Sequence, residues 1–154
     1  MAAVIFTDRE MQRAWQANLQ ASINSTPSNA HRLLLFYAIE CGLKAVLMKR
    51  RAMTCTNHCR EFTEVQHDIN KLLDILSAGQ ALKLPSQFNM SPVNYRGSKY
   101  DRRLSPGKIN QMWRYGGKVI EKLDDSGMTS RFTDEDIEQH LIKISQWIEG
   151  ELRR

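Results

Sequence analysis

The sequence is poor in the features that send a chain out of the cytoplasm or across a membrane. Its start lacks the succession of basic residues, apolar run and small-residue cleavage site that marks a secretory leader. Cysteine is scarce and odd in number, three in 154 residues, and Cys41 lies inside an apolar stretch. No disulfide framework is expected, and the thiols read as free in a reducing compartment. The longest apolar run, Leu33 to Met48, carries Glu40 and Lys44 at its middle. It is short and costly for a bilayer, so no membrane association is expected. No internal repeat occurs, strand-like alternation never lasts more than a few residues, and Ser, His and Asp form no local arrangement of the nucleophile-triad kind. The expectation is one cytoplasmic domain spanning residues 1–154.

What is present is helical. In His31 to Arg51, apolar residues fill nearly every face, which is the pattern of the central helix of a packed domain. Glu40 and Lys44 stand four apart with the acid first, the better orientation for a pair on one helical face, and are expected as a core pair. Gly42 weakens a helix interior, so its use there predicts the close approach of another helix. Thr7 to Glu10 has the spacing of a capping box ahead of Met11, Trp15, Leu19 and Ile23. Phe62, Val65, Ile69, Leu72, Leu73 and Leu76 continue the helical period, with Thr63 or Asp68 as the cap and Gly79 as the stop. Ser105-Pro106 opens a short helix that Gly116-Gly117 interrupts or bends before Val119, Ile120 and Leu123. Thr133 to Asp136 caps a last helix bearing Ile137, Leu141, Ile144, Ile148 and Leu152. Residues 84–105 show no period and are broken by Pro85 and Pro92. The predicted fold is therefore all-α, an up-down bundle of about five helices with a long, basic, irregular segment.

Charge is unevenly spread. Between Ser91 and Lys118 lie Arg96, Lys99, Arg102, Arg103, Lys108, Arg114 and Lys118 against the single acid Asp101, so this stretch alone exceeds the net charge of +5. Tyr95, Tyr100, Trp113 and Tyr115 interleave with these bases, although Trp113 shares a helix with Ile109 and Met112 and belongs with the core. Bases attract phosphate through counterion release, and aromatic rings offer stacking faces to unpaired bases. Arg96, Lys99, Tyr100, Arg102, Arg103, Lys108 and Arg114 form the candidate nucleic-acid interface. An acidic protein partner, or a solvated loop whose aromatics pack on the body, fits the same residues.

The segments AIECGLKAVLMK, HDINKLLDIL and WRYGGK, in that order, resemble the HEPN family of small helical-bundle proteins. The matching positions are Ala38, Glu40, Leu43, Lys44 and Ala45; His67, Asp68 and Ile69; and Arg114 and Tyr115. The resemblance implies a dimerising helical bundle. Many HEPN proteins are metal-independent ribonucleases of toxin–antitoxin and antiphage systems, with an Arg followed at short spacing by a His; others have lost the site and serve as binding or assembly modules.

Arg60 and His67 meet that spacing, as do Arg51 and His58, and thirteen arginines with four histidines also meet it by chance. Metal-free cleavage of RNA needs a base for the 2′-hydroxyl, which His supplies near neutral pH. It also needs a cation on the phosphate, which Arg supplies as a bidentate donor. Seven positions are two helical turns, which would put Arg60 and His67 on one face of a helix. Cys55, His58 and Cys59 lack the second ligand pair of a zinc site and read as a polar turn. No metal or cofactor is expected. The resulting expectation is an RNA-directed protein of a bacterial defence system that binds or cleaves RNA, as a homodimer or within a larger complex. The alternatives are a non-catalytic HEPN module docking onto a larger protein, and the HEPN partner of a nucleotidyltransferase.

Overall fold

The computed structural model of the chain describes residues 4–154. In chain order it contains α1 (Asp8–Ser22), α2 (Asn29–Arg50), α3 (Glu61–Val65), α4 (Ile69–Ile75), β1 (Gln87–Tyr95), β2 (Ser98–Leu104), α5 (Ile109–Arg114), β3 (Val119–Leu123), β4 (Thr129–Arg131) and α6 (Asp134–Arg153). The four strands form one antiparallel sheet in the order β2-β1-β3-β4. The fold is thus mixed α and β, and the expectation of an all-α bundle is overturned. The segment 84–105, expected to be irregular, supplies β1 and β2, and Val119, Ile120 and Leu123, expected on a helix, lie on β3.

The helical half follows from local sequence. Thr7 and Glu10 make the reciprocal capping box of α1, and Thr133 and Asp136 make that of α6. Asp68 caps α4 by accepting from the Lys71 N–H, which leaves α3 as a separate short helix. Helix α2 is the spine: Phe36, Ala38, Ile39, Leu43 and Met48 are fully enclosed, and α1 and α6 pack along it. A Cβ at position 42 would stand 2.8 Å from Trp15 Cε3 of α1 and 2.9 Å from Ile148 Cδ1 of α6. Glycine there lets two helices close on one spot.

The sheet packs onto this bundle through the shared core, and two contacts fix how it sits. Phe88 of β1 is fully buried and stacks on Phe132, with centroids 5.7 Å apart. Asp134, at the start of α6, is buried and accepts from Trp113 Nε1 at 3.0 Å and from the Val119 N–H at 3.3 Å. Its second oxygen lies 4.0 Å from Arg32 of α2, whose guanidinium also reaches Glu135 and Glu138. One carboxylate therefore ties α5, β3, α6 and the start of α2. Among the described residues no helix is long and apolar enough to cross a membrane.

Gly42→Val is expected to lower stability by about 1–3 kcal/mol, the usual range for overpacking a tight core. Urea unfolding followed by tryptophan fluorescence measures it, and an unchanged midpoint would refute the close crossing.

Candidate nucleic-acid interface

Strands β1 and β2 run on beyond the body. The partner β3 pairs with β1 only as far as Met90, opposite Val119. From there the β1–β2 hairpin continues alone, and every residue from Ser91 to Arg103 is exposed. It turns through Arg96 and Gly97, whose φ values of 50° and 78° are both left-handed, as a two-residue hairpin turn with the right twist requires. A bulge between Met90 and Val93 sets the free arm off from the sheet, and Arg102 Nε donates to the Ser91 carbonyl there at 2.8 Å.

Pairing register decides which side each residue takes. Phe88 with Leu104, Met90 with Arg102, and Val93 with Tyr100 share one side of the ribbon, as does Tyr95. At the root this side covers the core; farther out it is bare. Tyr95 is 58% exposed and Tyr100 50%, with ring centroids 6.3 Å apart and Arg96 over the Tyr95 ring. Lys99 and Asp101 take the opposite side. The arm thus has an aromatic face carrying Arg102, and a polar face.

At the root, the inward side of β2 meets α5 and the loop after it in a cavity of about 540 Å³. Arg102, Arg103 and Lys108 line it with Gln111, Tyr115 and the thioethers of Met90 and Met112, and no acid does. Among the described residues, Arg96, Lys99, Arg102, Arg103 and Lys108 make no ion pair. Arg114 stands apart, since its guanidinium donates to Tyr37 Oη at 2.9 Å. That bond, followed by contact with Tyr115, raises its pKa above the ordinary arginine value. Six of the seven interface residues expected from sequence thus fall along one arm and the cavity at its root. Gln111, Met90 and Met112 were missed, because only the hairpin fold brings strand and helix together there, whereas Tyr115 is among the aromatics that interleave with the bases in the sequence.

Arg60 and His67 do not share a helical face. Arg60 is the N-cap of α3, the helix stops at Val65, and Gln66 reverses the chain with φ 50° before His67. His67 Nδ1 instead lies 2.7 Å from Glu40 Oε1, while Lys44 Nζ is 3.9 Å from the same oxygen. The expected Glu40–Lys44 core pair is therefore a cluster whose nearer partner is His67, with its side chain half exposed. Lys44 and Arg60 line a second cavity, of about 430 Å³, so the two halves of the predicted pair connect only by way of Lys44 and Glu40.

Arg51 of the alternative pair is otherwise engaged. Arg51 Nη1 bonds Glu61 Oε2 at 2.8 Å, and Cys59 Sγ donates to the same oxygen. These bonds, the Arg51 one first, hold the Glu61 carboxyl at about 2 instead of the usual 4.5. Burial, and then the bond to Glu61, push the Cys59 thiol up. Among the described residues no group of three or more His, Cys, Asp or Glu side chains is placed to hold a metal ion.

Because folding lowers the Glu61 pKa, the stability this tie contributes is whole above pH 4.5 and is lost as pH falls toward about 2. The difference in urea midpoint between the natural protein and Arg51→Gln should be steady near neutrality and shrink through that window. A difference that persists undiminished at its acid end would contradict the pairing.

No protein-family model, curated protein or solved structure matches this chain.

Proposed function

We propose that this chain binds single-stranded nucleic acid, RNA in the first instance, along the β1–β2 arm, bases on its aromatic face and phosphates along both sides of the ribbon. One observation carries the reading: a ribbon exposed on all sides from Ser91 to Arg103 holds two bare tyrosines beside four bases that form no ion pair among the described residues, against the single acid Asp101. A surface built only for solubility would not expose aromatic rings in a row. Phosphates would meet Arg96, Lys99, Arg102 and Arg103, and unpaired bases would stack on Tyr95 and Tyr100. Such a protein would work in the cytoplasm, where its three free thiols persist.

Fluorescence anisotropy with a labelled single-stranded RNA tests this reading across a salt series. The double variant Arg96→Ala/Lys99→Ala should bind more weakly and flatten the slope of log K against log salt by about 1.4, two contacts at about 0.7 each. Tyr100→Ala should cost about 1–3 kcal/mol of affinity and leave the salt slope alone. Equal binding by natural protein and both variants would sink the arm as the interface.

A second reading, cleavage of RNA, draws on the HEPN resemblance and on one contact. With Nδ1 held by Glu40, His67 leaves Nε2 free to take a proton from a substrate hydroxyl. Labelled RNA incubated in EDTA should then be cut by the natural protein and not by folded His67→Ala or Arg60→Ala. Cleavage that survives both changes, or no cleavage by the natural protein, would remove this reading and leave binding intact.

A further inference from the structure

We infer that the cavity at the root of the arm is an end-binding site, which takes the last nucleotide of a strand by its terminal phosphate monoester. The inference rests on the arm being the nucleic-acid interface, and it adds what the arm alone does not define, the position of the strand end.

The arm's aromatic side and the cavity are one surface. Along β2, Tyr100, Arg102 and Leu104 point to the same side by strand alternation, so a strand stacked on Tyr100 and followed inward passes Arg102 and enters the cavity. There the floor is packed core. Leu104 and Met112 are buried, and the chain at Gly117 is packed so tightly that a Cβ would fall 2.3 Å from Met90 Cε and 3.0 Å from Met112 Cγ. A strand end can be seated on that floor directly, whereas the middle of a strand would have to turn back on itself to reach it.

The lining chemistry suits a nucleotide end. The cavity, at about 540 Å³, lies within the range of about 300–1,000 Å³ usual for small-molecule sites. Met90 and Met112 offer soft apolar walls for a base, the kind of surface thioethers adapt to. Gln111 offers both a donor and an acceptor to the base edge. Arg102 and Lys108 bring positive charge with no carboxylate in the lining and no ion pair on either. A backbone phosphodiester carries one negative charge, whereas a phosphate monoester carries close to two at neutral pH. The concentration of unneutralised bases therefore favours the monoester. Whether that monoester stands on the 5′ or the 3′ end follows from strand polarity along the arm.

Three labelled single-stranded RNAs of one sequence decide the matter, carrying a 5′-phosphate, a 3′-phosphate or hydroxyls at both ends. One of the phosphorylated strands should bind the natural protein about ten-fold more tightly than the hydroxyl-ended strand, the scale of one or two charge-assisted hydrogen bonds. The favoured strand identifies the end. Lys108→Ala and Gln111→Ala, both at exposed positions, should each lower that ratio toward one. Arg96→Ala/Lys99→Ala should weaken all three strands together and preserve the ratio. Equal affinity for the three strands, or a ratio unmoved by Lys108→Ala and Gln111→Ala together, overturns end binding while the arm reading stands. Failure to retain any strand overturns the arm reading and end binding with it.

Discussion

Helix α2 is enclosed because position 42 has no side chain. With Trp15 of α1 and Ile148 of α6 within 3 Å of where a Cβ would be, any other residue would push one helix away. The rest of the architecture hangs from that contact. Once α6 is seated on α2, its first residue, Asp134, is fixed, and Asp134 in turn holds the indole of Trp113 and the first amide of β3. The sheet reaches the bundle through this carboxylate and through the stacked pair Phe88 and Phe132. A buried carboxylate left without partners would be costly, so its bonds to Trp113 and Val119, with Arg32 nearby, make the junction specific as well as tight.

The arm obeys the opposite rule. Among the described residues, nothing but β2 pairs with β1 beyond Met90, and no residue from Ser91 to Arg103 is buried. A two-stranded hairpin on its own is marginal in water, and this one is held at its root by the sheet and at its bulge by the Arg102 bond to Ser91. Its side chains contribute little to folding. They are free to be basic and aromatic together, a combination a core would reject.

That contrast explains what could be read from the residues alone. The spine, the two capping boxes and the role of Gly42 were legible, because burial on a helix leaves a period and caps have local signatures. The sheet was not. An arm exposed on both sides has no apolar alternation to show, and its turn uses Arg-Gly in place of the more telling Asn-Gly. Val119, Ile120 and Leu123 fit a helical spacing as well as a short strand, and only Gly116-Gly117 marked the change. The basic residues of the candidate interface were visible from composition, whereas the cavity behind them needed β2 and α5 to meet in space. Glu40 was expected to pair with Lys44 four residues on, and its nearer bond to His67 crosses 27 residues that no local pattern connects.

The free arm also bears on how copies of the protein treat one another. Both of its long edges lack neighbours: β2 is the outer strand of the sheet, and β1 beyond Met90 has no partner on its other side. Unpaired strand edges invite like edges, and like charges on them keep them apart. Arg96, Lys99, Arg102 and Arg103 are therefore also the arm's protection against joining edge to edge. Salt above about 0.1 M shortens the reach of those charges to less than about 10 Å. A bound polyanion cancels them outright. On the proposed reading, a strand laid along the arm would lift that repulsion between ribbons and let the edges of neighbouring copies meet.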